Sequence, residues 1–142
     1  MVRTSVRVLL VEDDRDSREG LRELLEVWGH SVDVAASGGE AIEKAIERRP
    51  QIALIDIGLP EIDGYQVALR IREALGSAPI VLIALTGRTG LEDRQRAFES
   101  GFNAHLSKPI SPEKLSSVLM SRGSGVASAG AENTGSEVAN RL

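Results

Sequence analysis

Asp56 closes the apolar run Ile52-Ala53-Leu54-Ile55 and is followed by Ile57-Gly58-Leu59-Pro60-Glu61-Ile62-Asp63-Gly64. A strand that ends in a carboxylate and then meets turn-forming Gly and Pro carries that carboxylate out beyond the sheet. Three further apolar runs end in groups of complementary kinds. Residues 6–11 run into Glu12-Asp13-Asp14, residues 80–85 into Thr86-Gly87, and residues 102–107 into Lys108-Pro109. In open parallel sheets, ligands bind just outside the carboxyl ends of the strands, so these groups are expected to converge.

Three carboxylates within a few ångströms repel one another and need either raised pKa values or a cation. A hard divalent ion held by carboxylates, a backbone carbonyl and waters answers that need, and magnesium suits it best. Lys108 offers a point charge to a phosphate or oxyanion. Thr86 offers a hydroxyl, and the Thr86-Gly87 turn offers backbone N–H groups. A carboxylate nucleophile, a metal and a cation around one anionic centre are the parts of phosphoryl transfer. Taken singly, each residue has a plainer reading: a strand-end Asp caps a turn, a strand-end Thr is structural, a Lys before Pro is a surface group, and Glu-Asp-Asp before a helix complements its dipole. Four strand ends in order, each with a type the chemistry requires, favour the chemical reading.

These groups are positioned by a strand–helix alternation repeated five times. The strand runs are continuously apolar, as in parallel sheets buried on both faces. Leu21, Leu24, Leu25 and Trp28 form one apolar stripe on a helix of roughly residues 15–28, ended by Gly29, with Trp28 expected in the core. A short strand over residues 31–35 follows. Ser37-Gly38-Gly39-Glu40 opens a second helix as a capping box, with Ala41, Ile42, Ala45 and Ile46 inward and Arg48 and Arg49 in its last turn before Pro50. Asp63 is expected to cap a third helix carrying Val67, Ile71 and Leu75, and Thr89-Gly90-Leu91-Glu92 to open a fourth. Ser111-Pro112 starts a fifth, with Leu115, Val118 and Leu119 inward. Short loops between such units imply an α/β fold, a doubly wound parallel sheet with helices on both faces.

The chain of 142 residues is of single-domain size, with net charge −4 and no cysteine. The acidic balance argues against direct nucleic-acid binding, and the missing thiols exclude disulfides and zinc–thiolate sites. The start lacks the apolar segment of a signal peptide, and no run is long enough to span a bilayer, so a cytoplasmic location and no membrane insertion are expected. Lysine occurs only at Lys44, Lys108 and Lys114, which makes Lys108 conspicuous. From about Ser121 the composition turns to Gly, Ser, Ala and Asn, so residues 122–142 are expected to be a disordered tail after a domain of residues 1–121.

On Val11-Glu12-Asp13-Asp14, Leu54-Ile55-Asp56 through Gly64, Ala84-Leu85-Thr86-Gly87 and Lys108-Pro109, the chain resembles the CheY-like receiver domain of bacterial two-component response regulators. The likeness covers roughly residues 6–121. It implies a flavodoxin-like sheet of five parallel strands in the order 2-1-3-4-5, flanked by five helices. It implies that Asp56 is the phospho-acceptor and that Mg2+ is the cofactor, with Asp13 a direct ligand, Glu12 the second acid, and Asp56 and the carbonyl of Gly58 completing the protein ligands. Thr86 resembles the switch hydroxyl, with Gly87 beside it at the phosphoryl group. Lys108 resembles the family's lysine, and its bond to Pro109 is expected to be cis. The partners implied are a histidine kinase or histidine phosphotransfer protein and a downstream protein of unknown identity, with the chain a monomer or weak dimer. It would not be an enzyme beyond catalysing its own phosphorylation and dephosphorylation.

One departure is His105, which stands where the family often has an aromatic switch residue. It is either solvent-facing or a secondary switch with a titratable ring. Arg15, Arg18 and Arg22, interleaved with Glu19, Glu23 and Glu26, read as a solvated face, with a partner surface as the alternative. The chain is either a stand-alone regulator or a module related to the receivers of hybrid kinases. Two rival functions remain open. A phosphorylation-independent receiver-like binding module would not use the complete set of site residues. A magnesium-dependent aspartyl phosphatase would need an acid two residues after the nucleophile, where Gly58 stands.

Overall fold

The computed structural model describes residues 5–88 and 90–125. Five strands alternate with five helices: β1 (Arg7–Val11), α1 (Arg15–Val27), β2 (Ser31–Ala35), α2 (Gly38–Arg48), β3 (Ile52–Asp56), α3 (Gly64–Leu75), β4 (Val81–Thr86), α4 (Leu91–Glu99), β5 (Ala104–Ser107) and α5 (Pro112–Gly125). The strands form one parallel sheet in the order β2-β1-β3-β4-β5, the order the resemblance implies. Because β1 and β3 are neighbours, Val11 registers against Ile55, and Asp56 against Leu85 of β4. Thr86 in turn registers against Ser107. The four chemistry-bearing strand ends therefore stand along one edge of the sheet.

The alternation of side chains along each strand splits the core into two layers. Leu9, Val11, Ala53, Ile55, Leu82 and Ala84 face α2, α3 and α4, where Ala45, Val67, Ile71 and Ala97 meet them. Val8, Leu10, Ile52, Leu54, Ile83 and Leu85 face α1 and α5, meeting Leu25, Leu115 and Leu119. All five residues of β3 are buried, so the strand that ends in Asp56 is the most enclosed in the sheet's centre.

The helix starts hold the loops around the site. Asp14 caps α1 by accepting from the Ser17 N–H at 2.9 Å, Ser37 caps α2 through Glu40 N–H, and Asp63 caps α3 through Gln66 N–H at 3.0 Å. Glu40 reaches back to accept from Ala36 N–H, the residue before the cap, rather than from the Ser37 N–H that a capping box would use. At α4 the N-cap is Gly90, which makes no side-chain capping bond, and Ala97 is the helix's one buried residue. Arg96 nonetheless ties α4 to α3: its guanidinium sits 4.1 Å from the Tyr65 ring centroid and 3.9 Å from Asp63 Oδ2.

Several local expectations are corrected. Ile46 is 44 % exposed, because α2 ends at Arg48 and Arg49 takes a left-handed cap conformation with φ 49°. Trp28 is the C-cap residue of α1 and packs only partly buried against the α1/α5 layer. The strand β5 begins at Ala104, with buried Phe102 preceding it. The fifth helix runs to Gly125. Thr89 and the remainder of the expected tail, residues 126–142, lie outside the described residues.

Candidate functional site

The backbone of β3 is fixed on both sides where Asp56 leaves it. Ile57 N–H donates to Leu85 O at 3.0 Å, and Gly64 N–H donates to Ile57 O at 3.0 Å. A Cβ on Gly64 would stand 2.6 Å from Asp56 O and 2.7 Å from Ile57 Cα. The start of α3 thus packs directly on the Asp56 peptide, a contact open only to glycine. The loop from Ile57 to Asp63 is folded over this contact, with Glu61 at φ 67°.

Asp56 is buried, 5 % exposed, and Glu12 is 2 % exposed. Lys108 Nζ donates to Asp56 Oδ1 at 2.9 Å and lies 3.4 Å from Glu12 Oε1. The Gly58 N–H also donates to Asp56 Oδ1, at 3.1 Å. Glu12 is steadied by the Asp14 N–H on Oε2 at 3.1 Å, while its own N–H donates to Ala35 O and its carbonyl accepts from Arg18 Nη1. Lys108 is positioned by its main chain: its N–H donates to Thr86 O at 2.8 Å, and the following bond to Pro109 is cis.

Electrostatically the site is short of positive charge. Carboxylate oxygens of Glu12, Asp13 and Asp56 lie within 4.8 Å of one another, with Lys108 the one ammonium among them. Burial pushes the Glu12 carboxyl above its ordinary value, and the Asp56 charge adds to that, against the Asp14 N–H and Lys108, which favour ionisation. Burial disfavours charge on Lys108, but its hydrogen bond to Asp56 and the charges of Asp56 and Glu12 outweigh this and raise its pKa. Exposed Asp13 at the rim and two buried acids beneath make a donor set of hard oxygens with an open side, which fits a divalent cation such as magnesium.

Above Asp56 opens a pocket of about 410 Å³, walled by Ile57, Gly58, Thr86, Gly87, Arg88 and Lys108. The buried Thr86 hydroxyl donates to Arg88 O at 3.0 Å and accepts from Arg88 N–H at 2.9 Å. A second hollow, about 340 Å³, lies on the other side of Lys108 between α1 and the Pro109-Ile110 turn. His105 is half-buried on β5, opposite Ala84. Burial first, and the positive Arg94 second, lower its pKa and favour the neutral ring.

The structure therefore brings together Glu12, Asp13, Asp56, Gly58, Thr86, Gly87 and Lys108, and places His105 on β5, two residues before the strand's end. Two features escaped the sequence reading. Asp14 separates from its acidic neighbours as a helix cap; its signal was being the last of the three acids, directly before the apolar stripe of α1. Arg88 lines the pocket, and its only signal was lying two residues past Thr86 on the same strand-end loop.

The model of the response regulator receiver domain family matches residues 8–120. Response regulator MprA of Mycobacterium bovis (strain BCG / Pasteur 1173P2) is 36 % identical over 111 residues, covering 78 % of this chain and 47 % of that protein. The chain thus spans about half the length of that relative. Among solved structures, a chain of the co-crystal of the Saccharomyces cerevisiae histidine phosphotransfer signalling protein Ypd1 with the receiver domain of the response regulator Ssk1 superposes with TM-score 0.83 at 28 % identity, covering 89 % of this chain and 94 % of that one. The receiver domain of a sensor histidine kinase from Pseudomonas aeruginosa PAO1, with a magnesium ion coordinated in its active-site cleft, gives TM-score 0.75 at 30 % identity, covering 82 % of this chain and 96 % of that one.

Proposed function

Because the chain belongs to the response regulator receiver domain family, we propose that it is a phospho-accepting switch of a two-component phosphorelay with Asp56 as the acceptor. The observation that carries this reading is the Asp56 carboxylate at the floor of an open pocket, held by Lys108 at 2.9 Å and faced by Glu12 and Asp13. Both protein donors, Lys108 Nζ and Gly58 N–H, engage Oδ1, which leaves Oδ2 to react.

In the proposed transfer, Asp56 Oδ2 forms a bond to phosphorus as the P–N bond of a phosphohistidine breaks, and the leaving imidazole takes the electron pair and then a proton. Magnesium held by Glu12, Asp13, Asp56 and the Gly58 carbonyl would neutralise the approaching phosphoryl oxygens and the crowded carboxylates. Lys108 moves from its carboxylate partners to a phosphoryl oxygen, and Thr86 and the Gly87 N–H supply further donors. The chain's own work is positioning and charge compensation, consistent with a protein that catalyses only its own phosphorylation and dephosphorylation.

The phosphoryl donor is proposed to be a histidine kinase or a histidine phosphotransfer protein, as in the co-crystal of Ypd1 with a receiver. The hollow beside Lys108, lined by Asp16, Gly20, Leu21 and Ile110 among others, gives a helix of such a partner access beside the acceptor. The output is a change of partner affinity on the surface of α4, β5 and α5, toward a protein of unknown identity. Incubation with acetyl phosphate and magnesium, read by intact mass, tests the reading. One phosphoryl group should add to the parent and none to Asp56→Asn. Equal gain in both would place the acceptor elsewhere.

A further inference from the structure

Arg88 stands apart from the other residues of the pocket. Gly58 and Gly87 wall the pocket without side chains: a Cβ at Gly87 would meet nothing within 4 Å, and one at Gly58 only Asp56 Oδ1, at 3.8 Å. Lys108 is already engaged by Asp56 and Glu12 on the pocket floor. Arg88 is the other cationic side chain of the lining; it is exposed, and among the described residues it forms no salt bridge. Its main chain is held by the Thr86 hydroxyl, which bonds both its N–H and its carbonyl. Beyond it, α4 starts at Gly90 without a side-chain cap and buries only Ala97, so little packing resists movement of the α4 start.

We propose that Arg88 is a second phosphoryl-binding cation of this site, latched by Thr86 until phosphorylation and released when that hydroxyl turns to the phosphoryl oxygens. The inference rests on Asp56 being the phospho-acceptor. A phosphoryl group brings charge of about −1.5 to −2 and three acceptor oxygens. Lys108 answers with a point charge at the pocket floor. A guanidinium from the rim offers a planar fork that meets two oxygens at once. The same Thr86 rotation that satisfies one phosphoryl oxygen breaks both bonds to the Arg88 main chain, so capture by Arg88 and movement of the α4 start are one event. The latch uses only backbone atoms of residue 88, which Arg88→Ala preserves while removing the guanidinium.

The sign of the effect separates this role from a structural one. A guanidinium at the rim repels a divalent cation on Glu12 and Asp13 and attracts the phosphoryl group. Arg88→Ala in the full chain should therefore bind magnesium as tightly as the parent or more tightly. It should bind beryllofluoride, which takes the phosphoryl geometry on a carboxylate, about tenfold more weakly, the scale of one partly solvated charge-assisted hydrogen bond. Arg88→Lys should fall between the two. Both affinities are read by calorimetry, beside acetyl-phosphate labelling of the parent by intact mass. Unchanged beryllofluoride affinity in Arg88→Ala, with a parent that labels normally, overturns the role of Arg88 alone. Equal weakening of magnesium and beryllofluoride overturns it too, since that marks a general loss of structure. A parent that neither labels nor binds beryllofluoride overturns the Asp56 reading, and this inference falls with it.

Discussion

Gly64 and Asp56 touch through their backbones: a Cβ on Gly64 would stand 2.6 Å from the Asp56 carbonyl oxygen. The first residue of α3 is thereby the rear wall of the acceptor's peptide. A methyl there must push either α3 away from the sheet or Asp56 out of its position. The neighbouring atoms are backbone, so neither movement is easy. Gly64→Ala should cost about 1–3 kcal/mol in urea melts, the range for overpacking a filled interior. It should also slow labelling of Asp56 by acetyl phosphate. A parent-like midpoint would show that the α3 start relaxes freely.

Glu12 gives the site a pH signature whose sign follows from its burial. Its folded-state pKa is raised above the ordinary value of 4.5. The folded protein therefore holds a proton that the unfolded chain releases. That contribution to stability is complete below the ordinary carboxylate range and is lost as pH rises through the raised value. The difference between parent and Glu12→Gln in metal-free melts from about pH 4 to 8 should show this decline, because His105, Asp14 and Glu40 titrate with the opposite sign equally in both proteins. Magnesium should reverse part of it in the parent, because it binds the ionised acids. A parent–variant difference that is flat or grows through this window would contradict the assignment.

Much of this site was legible in the sequence, because a parallel sheet turns order along the chain into position in space. The ends of β1, β3, β4 and β5 lie along one edge, so Asp13, Asp56, Thr86 and Lys108 become neighbours once the four runs are strands in the order β2-β1-β3-β4-β5, which the family resemblance supplied. What the sequence did not reveal depends on direction and depth. Three consecutive acids look alike until Asp14 turns to the Ser17 N–H. Ile46 fits an inward stripe, but the helix ends two residues later. Arg88 carries no periodic signal, and only the pocket gives it a place. The contact of Gly64 with Asp56 is likewise invisible without the crossing of α3 over β3.

Arg72 belongs to the same unreadable class. From α3 it donates through Nε and Nη2 to Gly101 O, through Nη1 to Ile80 O, and through Nη2 to Asn103 Oδ1, at 2.8–3.1 Å. Asn103 Oδ1 also accepts from Leu82 N–H at 2.8 Å. One guanidinium thus ties the end of α4 to the starts of β4 and β5. Burial lowers its pKa, yet a guanidinium stays charged at neutral pH. Lysine cannot reproduce the fork. Arg72→Lys should lower stability by about 2 kcal/mol, the net worth of a few hydrogen bonds less what one ammonium recovers. Denaturant melts decide this, and a loss below about 0.5 kcal/mol would mean that the loops hold without the guanidinium.

Thr86 tests the route by which the signal leaves the pocket. Its hydroxyl bonds both the N–H and the carbonyl of Arg88, and its own carbonyl accepts from Lys108 N–H. Turning the hydroxyl to a phosphoryl oxygen frees the Arg88 main chain and vacates space on the face of the sheet where half-buried His105 lies. Thr86→Ala removes the latch in both states, so the difference between them should shrink even though Asp56 still takes phosphate. The loss of two neutral hydrogen bonds should also cost about 1–2 kcal/mol in the unphosphorylated protein. Thr86→Ser, which keeps the hydroxyl, should restore both properties. Amide chemical shifts from residue 86 to residue 110, compared with and without beryllofluoride, measure the response. An undiminished response in Thr86→Ala would route the signal through Lys108 instead. A response that fails to return in Thr86→Ser would assign the effect to the Thr86 methyl and its packing.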